Sequence, residues 1–424
     1  MTHILDDLLW RGLVAQSTDQ RALRAALDAG GVRYYCGFDP TAPSLHVGNL
    51  VQILTLRRLQ DAGHLPVVVV GGATGLIGDP KPDAERTLNP KEVVAGWVGR
   101  IRAQIEPYLR FAGPGAALMV DNLEWTAELS AIDLLRDVGR HFRVSRMLAK
   151  EAVSARLVSE AGISYTEFSY QVLQALDFLE LYRRHGVTLQ TGGSDQWGNL
   201  TAGTDLIRRV EGVVVHALAT PLITKADGTK FGKTESGTVW LDPSMTSPFA
   251  FFQFWLNADD RDVLGYLRVF SLRPRSELEA LAEAQRERPA ARVAQRALAE
   301  ELTTLVHGPV ECAHVVAASR ALFGEGELSD VDPLTLAASL QELPVVHTVG
   351  PTPPLVELLA TTGLAPSRSA ARRMVRQGGA YLNNVKVTDE EYVPDVGDLL
   401  AGRWLVLRRG RRNLAAVDVG ASSR

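Results

Sequence analysis

Between residues 30 and 240, short apolar runs alternate with stretches whose apolar positions recur at helical spacing. The apolar runs are RYYCGF at 33–38, PVVVVGG at 66–72, 117–121 and 188–192. The helical stretches cover about 49–62, 90–110, 166–185 and 196–210. Alternation of this kind predicts βαβ units and a parallel sheet, whose ligands bind at the carboxyl ends of the strands. We therefore predict an α/β fold with a Rossmann-like domain over residues 1–245.

An insertion is predicted within this domain at about residues 122–165, where mostly helical, arginine-containing sequence interrupts the alternation. We expect its apolar and aromatic residues, such as Phe142 and Tyr165, to be exposed. A monomer has little reason to expose such residues, so the insertion predicts the interface of a homodimer.

The pattern changes again after residue 245. Residues 246–348 give successive helical patterns without a strand signal, which predicts a small α-helical domain. The sequence VGPTPP at 349–354 predicts a stiff linker. Residues 353–424 combine a helical pattern near 367–378 with strand patterns, which predicts a small α+β module.

Composition excludes several classes of protein. The chain has 424 residues, of which 46% are hydrophobic and 22% charged, as in an ordinary globular protein. No run reaches the roughly 18 apolar residues of a membrane span, and the first 20 residues lack the apolar core of a secretory signal. Two cysteines, Cys36 and Cys312, are too few for a disulfide framework or a structural zinc site. We therefore expect a cytoplasmic protein.

The net charge of −4 is unevenly distributed along the chain. Residues 351–424 contain 11 Lys and Arg against 7 Asp and Glu. A basic module on an acidic body is typical of a protein whose tail meets an anion such as RNA. A solvated basic face accounts for the same excess, and both interpretations stay open on charge alone.

The first candidate site is RYYCGFDPTAPSLHVGNL at 33–50, which predicts a strand, a Gly/Pro turn and a helix start. The first turn of a helix leaves backbone N–H groups unpaired, and these groups can bind an anion. His46 and Asn49 add side-chain donors, and Gly48 lets a ligand approach the backbone. The alternative is that His46 is only a cap or a packed residue.

Two further candidate segments follow predicted strands. GGATGLIGD at 71–79 is neither a Walker loop nor a GxGxxG motif, and its Asp79 either binds a ligand or caps a turn. GGSDQWGN at 192–199 runs into a helix, so Ser194 and Asp195 fit N-cap residues. An acid at such a turn can equally accept a hydrogen bond from a ribose hydroxyl.

Tyr170, Gln174 and Asp177 have the spacing i, i+4, i+7 and share one helix face. Burial of three polar groups is costly unless each is hydrogen-bonded. These residues therefore either pair with one another or line a pocket. A buried carboxylate with an amide suits a small ligand that carries a hydroxyl or an ammonium group.

The segment KADGTKFGKT at 225–234 contains three lysines and two glycines. A solvated charged loop is the usual explanation for such a run. Lys230 and Lys233 flank a glycine, however, and two charges on a flexible loop can close over a polyphosphate and stabilise a transition state.

These motifs together resemble a known family. HVGN resembles the HIGH signature of class I aminoacyl-tRNA synthetases, and KFGKT resembles their KMSKS loop. With YCGFDPTAPSLHVGN, GGATGLIGDP, TEFSYQVLQALDF and GGSDQWGN, nearly the whole chain is similar to the bacterial-type tyrosyl-tRNA synthetases. Residues 353–424 resemble a small RNA-binding module of the ribosomal-protein type.

The resemblance implies an activity and its partners. L-Tyrosine would react with ATP to give tyrosyl-adenylate and pyrophosphate, and the tyrosyl group would then pass to the terminal ribose of the tRNA for tyrosine. Mg²⁺ would accompany ATP as part of the substrate. The resemblance implies neither a tightly bound cofactor nor a metal site of the protein itself.

The resemblance also implies site residues. The tyrosine hydroxyl would contact Tyr35 and Asp177, the α-ammonium would contact Asp79, Tyr170 and Gln174, and the reacting carboxylate would lie near Gln196. The ATP set comprises Cys36, Asp39, Gly48, Gly193, Asp195, Lys230 and Lys233. The leaving pyrophosphate would contact Thr41, His46, Asn49, Lys230, Lys233 and Thr234. The tRNA contacts in the C-terminal module would be Arg368, Arg372, Arg373 and Arg376.

Two departures from the family pattern affect the phosphate contacts. Asn49 stands where the signature has its last histidine, which keeps a donor but removes a group that can be protonated. The loop at 81–85 is broken by proline, so a lysine that some relatives use there has no clear counterpart.

Three rival functions remain for comparison. A tryptophanyl enzyme of the same class would bind an indole, which has no hydroxyl for Asp177. A non-catalytic RNA-binding protein would be expected to lack His46 or the lysine loop, and both are present. An oxidoreductase on a Rossmann sheet is disfavoured because no GxGxxG motif is found.

Overall fold

The computed structural model describes residues 3–80, 86, 88–159, 162–229, 231–234, 237–410 and 413–420. The strands are β1 (Gln16–Ser17), β2 (Arg33–Phe38), β3 (Leu65–Val70), β4 (Leu118–Asp121), β5 (Leu189–Gly193), β6 (His216–Thr220), β7 (Lys233–Thr234), β8 (Gly237–Thr238), β9 (Val345–Thr348), β10 (Ala380–Leu382), β11 (Val385–Lys386), β12 (Trp404–Arg409) and β13 (Asn413–Val419).

The helices of the first half of the chain are α1 (Ile4–Trp10), α2 (Gln20–Asp28), α3 (Leu50–Asp61), α4 (Thr74–Ile77), α5 (Lys91–Ile105), α6 (Leu123–Thr126), α7 (Ala131–Asp133), α8 (Val144–Leu148), α9 (Glu151–Leu157), α10 (Tyr165–His185) and α11 (Trp197–Val210). Those of the second half are α12 (Pro248–Leu256), α13 (Val263–Phe270), α14 (Arg275–Glu287), α15 (Val293–His307), α16 (Pro309–Leu322), α17 (Pro333–Gln341), α18 (Leu355–Thr361) and α19 (Arg368–Arg376). No helix in the described ranges is long and apolar enough to cross a membrane.

The chain forms two compact units, residues 1–242 with 259–294 and residues 243–258 with 295–424. The first unit is built on a six-stranded sheet in the order β1-β6-β5-β2-β3-β4. All neighbouring pairs except β1 and β6 are parallel, so the predicted α/β fold with a parallel sheet is confirmed. The two strands without a sequence prediction are β1, which has only two residues, and the alanine-containing β6.

Helix α10 contributes to the buried core that packs against this sheet. Ser164 caps its first turn, three basic residues occupy its last turn, and Gly186 ends it in the left-handed conformation. Leu176, Phe178 and Leu179 belong to the same buried cluster as Val67 and Val69 of β3. The packing of α10 against the sheet therefore determines where the polar residues of this helix lie relative to the strands.

The second unit contains helices α12 and α15–α19 and a five-stranded sheet in the order β11-β10-β12-β13-β9. Strand β9 pairs in parallel with β13, the last strand of the chain. The sheet therefore includes a strand that precedes the predicted boundary at residue 353, and that boundary stays a prediction. The predicted division of the chain at residue 245 stays a prediction.

Candidate active site

Asp177 lies on α10 with 4% of its surface exposed, and two side chains from the start of the insertion hold its carboxylate. Asn122 Nδ2 donates to Oδ2 at 2.9 Å, and Trp125 Nε1 donates to Oδ1 at 2.9 Å. Burial raises the pKa of Asp177 to about 7, although the hydrogen bonds from Asn122 and Trp125 oppose the rise. The carboxyl group thus changes charge near neutral pH.

Tyr35 and Gln174 each leave a buried polar atom without a hydrogen-bond partner among the described residues. Tyr35 is 2% exposed and stacks at a tilt on Phe178, with 5.2 Å between ring centroids, but its hydroxyl oxygen has no partner. The Oε1 atom of Gln174 is in the same condition. Buried polar atoms are rarely left unpaired in folded proteins, so both atoms point to a ligand that supplies the missing hydrogen bonds.

Tyr170 pairs with Asp39 instead of with its neighbours on α10. Its hydroxyl donates to Asp39 Oδ2 at 2.6 Å, and Thr74 Oγ1 donates to Asp39 Oδ1 at 2.6 Å. Burial raises the pKa of Asp39, while these two hydrogen bonds lower it. The assignment of Asp39 to ATP stays a prediction, whereas its hydrogen bonds place it beside the residues predicted to bind the amino acid.

Asp79 lies opposite the segment that follows β5. Gln196 Nε2 donates to Asp79 Oδ2 at 2.9 Å, and Asn199 Nδ2 approaches Oδ1 at 3.3 Å. The same amide group of Gln196 also reaches Asp195 Oδ2 at 3.2 Å. Neither Ser194 nor Asp195 caps α11, because Gln196 precedes that helix without a side-chain cap. The cap interpretation of this motif is therefore wrong.

Lys150 is a site residue that the sequence patterns did not reveal. It comes from the insertion, its Nζ donates to Asn199 Oδ1, and it lies 3.9 Å from Asp79 Oδ1. Burial lowers the pKa of Lys150, and the nearby charges of Asp79 and Asp195 partly offset this effect. A cavity of about 290 Å³ adjoins Lys150 and is also lined by arginines of the insertion and of α11.

The HVGN motif forms a closed turn ahead of α3. The backbone N–H of His46 donates to Asn49 Oδ1 at 3.0 Å, and the N–H of Gly48 donates to His46 Nδ1 at 3.0 Å. The first bond fixes the Asn49 side chain to the turn and the second fixes the His46 ring. Thr41 lies exposed in the preceding loop.

The HVGN and KFGKT segments lie side by side. Val47 N–H donates to the Val239 carbonyl at 3.0 Å, and Val239 N–H donates to the Gly232 carbonyl at 2.9 Å. Gly232 has a φ of +76°, and a Cβ there would lie 2.7 Å from Val47 Cγ2. Only glycine combines that backbone conformation with so close an approach. Lys230 lies outside the described residues, and for Lys233 and Thr234 only the backbone, in strand β7, is described.

Phe231 packs the KFGKT segment against α13. Its ring stacks on Phe270 at 5.3 Å between centroids and contacts Tyr266 at 5.1 Å, both on α13. Arg58 holds the end of this helix by donating to the carbonyls of Val269 and Ser271 at 2.8 and 2.7 Å. The predicted lysine loop thus rests on a helix that is anchored to the same unit as the HVGN turn.

Three of the residues predicted to bind ATP lie on two neighbouring strands and in the turn that follows one of them. Cys36 is in β2, and Gly193 ends the adjacent β5, with Asp195 in the turn that follows. Burial raises the pKa of the Cys36 thiol to about 12, so the group is neutral. No set of three or more His, Cys, Asp or Glu in the described parts of the chain has the arrangement of a metal site.

The four arginines predicted to bind tRNA lie exposed on α19. Arg368 pairs with Glu357 at 2.8 Å, Arg372 with Glu391 at 3.3 Å and Arg376 with Glu390 at 2.8 Å. Exposed ion pairs contribute little to stability, and a polyanion can therefore displace them at low cost.

Comparison with known proteins identifies the family. Residues 28–324 match the model "tRNA synthetases class I (W and Y)", and residues 335–417 match "Tyrosine--tRNA ligase SYY-like C-terminal domain". The tyrosine--tRNA ligase of Streptomyces griseus is 68% identical over 99% of both chains, and that of Acidothermus cellulolyticus is 66% identical over 99% of both chains. The chain belongs to the tyrosine--tRNA ligases. It is an aminoacyl-tRNA synthetase that joins tyrosine to tRNA with ATP as the second substrate.

Solved structures agree with this assignment. A C-terminally truncated mitochondrial tyrosyl-tRNA synthetase of Coccidioides posadasii aligns with a TM-score of 0.66 and 30% identity, over 74% of this chain and 91% of that chain. A tryptophanyl-tRNA synthetase of Encephalitozoon cuniculi shares the fold, with a TM-score of 0.56 and 13% identity over 73% of this chain and 87% of that chain. The identity to tyrosine--tRNA ligases over the full length of this ligase excludes the tryptophanyl alternative.

Proposed function

We propose that Tyr35, Gln174 and Asp177 line the pocket for the L-tyrosine substrate. The observation that carries this proposal is the pair of unpartnered buried atoms, the Tyr35 hydroxyl and Gln174 Oε1, together with a buried carboxylate that two donors hold in place. The substrate hydroxyl donates to Asp177 and accepts from Tyr35. An apolar pocket would hardly distinguish tyrosine from phenylalanine. In this pocket, phenylalanine would leave the Tyr35 hydroxyl and the Asp177 carboxylate buried without the hydrogen bonds that the substrate hydroxyl supplies.

The other end of the amino acid follows from the same helix. Gln174 Oε1 and the carboxylate of Asp79 are acceptors for the α-ammonium group, and the hydroxyl of Tyr170 is fixed next to them by Asp39. Gln196, which donates to Asp79, lies where the substrate carboxylate would emerge. Residues of α10 would thus bind both the hydroxyl and the ammonium group, and the separation of these residues along the helix would match the length of the substrate.

The first reaction needs no general base, because a carboxylate is already a nucleophile. The tyrosine carboxylate oxygen forms a bond to the α-phosphorus of ATP, and the bond to the departing pyrophosphate breaks. Cys36, Gly193 and Asp195 would hold the ribose. His46, Asn49 and Thr41, with Lys230, Lys233 and Thr234, would stabilise the charge on the pyrophosphate. Mg²⁺ would arrive with ATP, and the terminal ribose of the tRNA then takes the tyrosyl group.

Tyrosine binding should weaken as the pH falls through 7. Burial raises the pKa of Asp177 to about 7, so protonation favours the empty protein below that pH, whereas the substrate hydroxyl needs the ionised carboxylate as acceptor. We expect the Kd for tyrosine to be about tenfold higher at pH 6 than at pH 8, measured by equilibrium dialysis. Tyr35→Phe retains Asp177 and should keep the same inflection. A Kd that stays constant over this range would contradict the proposed contact.

We propose that the insertion at 122–165 forms the interface of a homodimer. Among its residues, Val158 is 89% exposed and Tyr165 is 71% exposed, and Ile132, Leu135 and Val144 are exposed as well. The expected exposure of Phe142 is wrong, because that residue packs against the core cluster around α10. The apolar residues of the insertion that remain exposed are numerous enough to favour a partner surface.

Light scattering should therefore give a mass of twice 46.1 kDa at micromolar concentration. Val158→Asp combined with Tyr165→Asp should shift the species to the single-chain mass, because a charge in an apolar interface is costly. Val310→Asp, at an exposed valine on α16 outside the insertion, serves as the matched control and should remain a dimer. A parent protein of single-chain mass would refute the interface.

The C-terminal module should bind tRNA while contributing nothing to adenylate formation. We propose that the exposed arginines of α19 exchange their glutamate partners for tRNA phosphates. A chain that ends at residue 344 should keep tyrosine-dependent pyrophosphate exchange within about twofold and lose about a hundredfold in tRNA charging, since several phosphate contacts disappear. Equal losses in both assays would contradict this division of labour. A reaction that serves ribosomal synthesis also supports a cytoplasmic location.

A further inference from the structure

Glu167 occupies a capping-box position but does not serve as a capping residue. The sequence Ser164-Tyr165-Thr166-Glu167 has the S-x-x-E pattern, and Ser164 Oγ accepts from the Glu167 N–H at 3.3 Å. In such a box, the glutamate side chain reaches back to the N-cap backbone. Here its oxygens are used elsewhere: Oε1 accepts from the backbone N–H of Arg86 at 2.7 Å, and Oε2 accepts from Arg156 Nη1 at 3.0 Å.

The pair of Glu167 and Arg156 is almost fully buried. Their side chains are 2% and 1% exposed. A buried ion pair often contributes no more stability than apolar residues of the same size, because both charges lose their hydration. Arg156 also donates from Nε to the Gly162 carbonyl at 2.8 Å. The carboxylate therefore joins three separate segments, namely α9, the start of α10 and the backbone at Arg86.

The connection continues from Arg86 to Asp79. Arg86 Nε donates to the Asp79 carbonyl at 2.8 Å. The Arg86 side chain also covers Gly78, where a Cβ would lie 2.7 Å from Arg86 Cδ. The residue that carries the acceptor for the α-ammonium is thus tied, through Arg86, to a carboxylate one helical turn before Tyr170 on α10.

We propose that Glu167 is a positioning residue for Asp79. By holding the backbone of Arg86, it sets the separation between Asp79 and the α10 residues Tyr170 and Gln174, which together would enclose the ammonium group. Arg156 neutralises the carboxylate so that it can be buried at this point. The inference rests on the proposed assignment of Asp79 to the substrate ammonium.

Two charge-free double variants test the proposal, because they differ only in the acceptor offered to the Arg86 N–H. Arg156→Met with Glu167→Gln keeps an amide oxygen at that place, and Arg156→Met with Glu167→Met removes it. In tyrosine-dependent pyrophosphate exchange, we expect the Gln form to keep the KM for tyrosine within about threefold of the parent. The Met form should have a KM for tyrosine about tenfold higher than the parent, because it loses the hydrogen bond from the Arg86 N–H. The KM for ATP should be the same in both.

Thermal unfolding of the two double variants, with Ser164→Ala as a control, separates positioning from stability. Ser164→Ala weakens the same helix start without touching the bond to Arg86, so it should lower the Tm and leave the KM for tyrosine unchanged. Equal KM values in the Gln and Met forms would overturn the inference.

Asp79→Asn distinguishes this failure from a failure of the proposed site. An increase in its KM for tyrosine, together with equal values in the two double variants, would refute only the positioning role. An unchanged KM in Asp79→Asn would overturn the assignment of Asp79 and the inference with it.

Discussion

Replacing Asp177 with asparagine should lower kcat/KM for tyrosine in pyrophosphate exchange by about a hundredfold. The change removes a charged acceptor, whose hydrogen bond contributes about 3 kcal/mol. In the parent protein, Asn122 Nδ2 and Trp125 Nε1 both donate to the carboxylate at 2.9 Å. The asparagine side chain has only one oxygen, so its amide nitrogen would face one of these donors. The activity with phenylalanine should change much less, so discrimination between the two amino acids should narrow.

Tyr35→Phe is the matched control for this prediction. It removes one hydroxyl that has no partner within the described part of the chain, and it leaves the ring that packs on Phe178. The expected loss in tyrosine binding is about 1 kcal/mol, the net value of one neutral hydrogen bond. If both variants rejected phenylalanine as strongly as the parent does, the selectivity would lie outside this pocket.

Lys233→Ala should reduce the rate constant for adenylate formation by about a hundredfold while changing the Kd for ATP much less. Removal of a charge that is predicted to stabilise the departing pyrophosphate is expected to cost about 3 kcal/mol in the transition state. The backbone pairing of Gly232 with Val239, and of Val239 with Val47, keeps the segment that carries this lysine next to the HVGN turn. The sequence motif predicts the same effect for Lys230.

Pre-steady-state kinetics measures the two quantities separately. Lys91→Ala, at an exposed position at the start of α5, should change neither. A weaker Kd for ATP with an unchanged rate constant in Lys233→Ala would refute the transition-state role.

The sequence patterns predicted the elements well wherever the periodicity was strong. Strand β2 covers the predicted run at 33–38, and α10 begins one residue before the predicted 166–185. Strand β6 was not predicted, because its sequence HALAT is buried throughout and shows no polar alternation. Strand β9 was not predicted either, since its partner β13 lies at the far end of the chain.

The shared face of α10 was predicted, but the partners of its polar residues were not. Tyr170, Gln174 and Asp177 were expected to pair together or to line a pocket. The structure pairs Tyr170 with Asp39, 131 residues away, and Asp177 with Asn122, 55 residues away. Local periodicity indicates which side chains share a face, but only the packing of distant segments decides what faces them. Lys150, Arg86 and Glu167 escaped sequence analysis for the same reason.

The parallel pairing of β9 with β13 has a consequence for anyone who shortens the chain. A cut at residue 353, the boundary that the linker suggests, would leave β9 behind with its valines and its backbone groups unpaired. An unpaired apolar strand edge recruits strands from other molecules, so such a fragment should aggregate. The detached module would in turn expose the edge of β13. A cut before residue 345 keeps both strands together, so neither fragment should carry this unpaired edge.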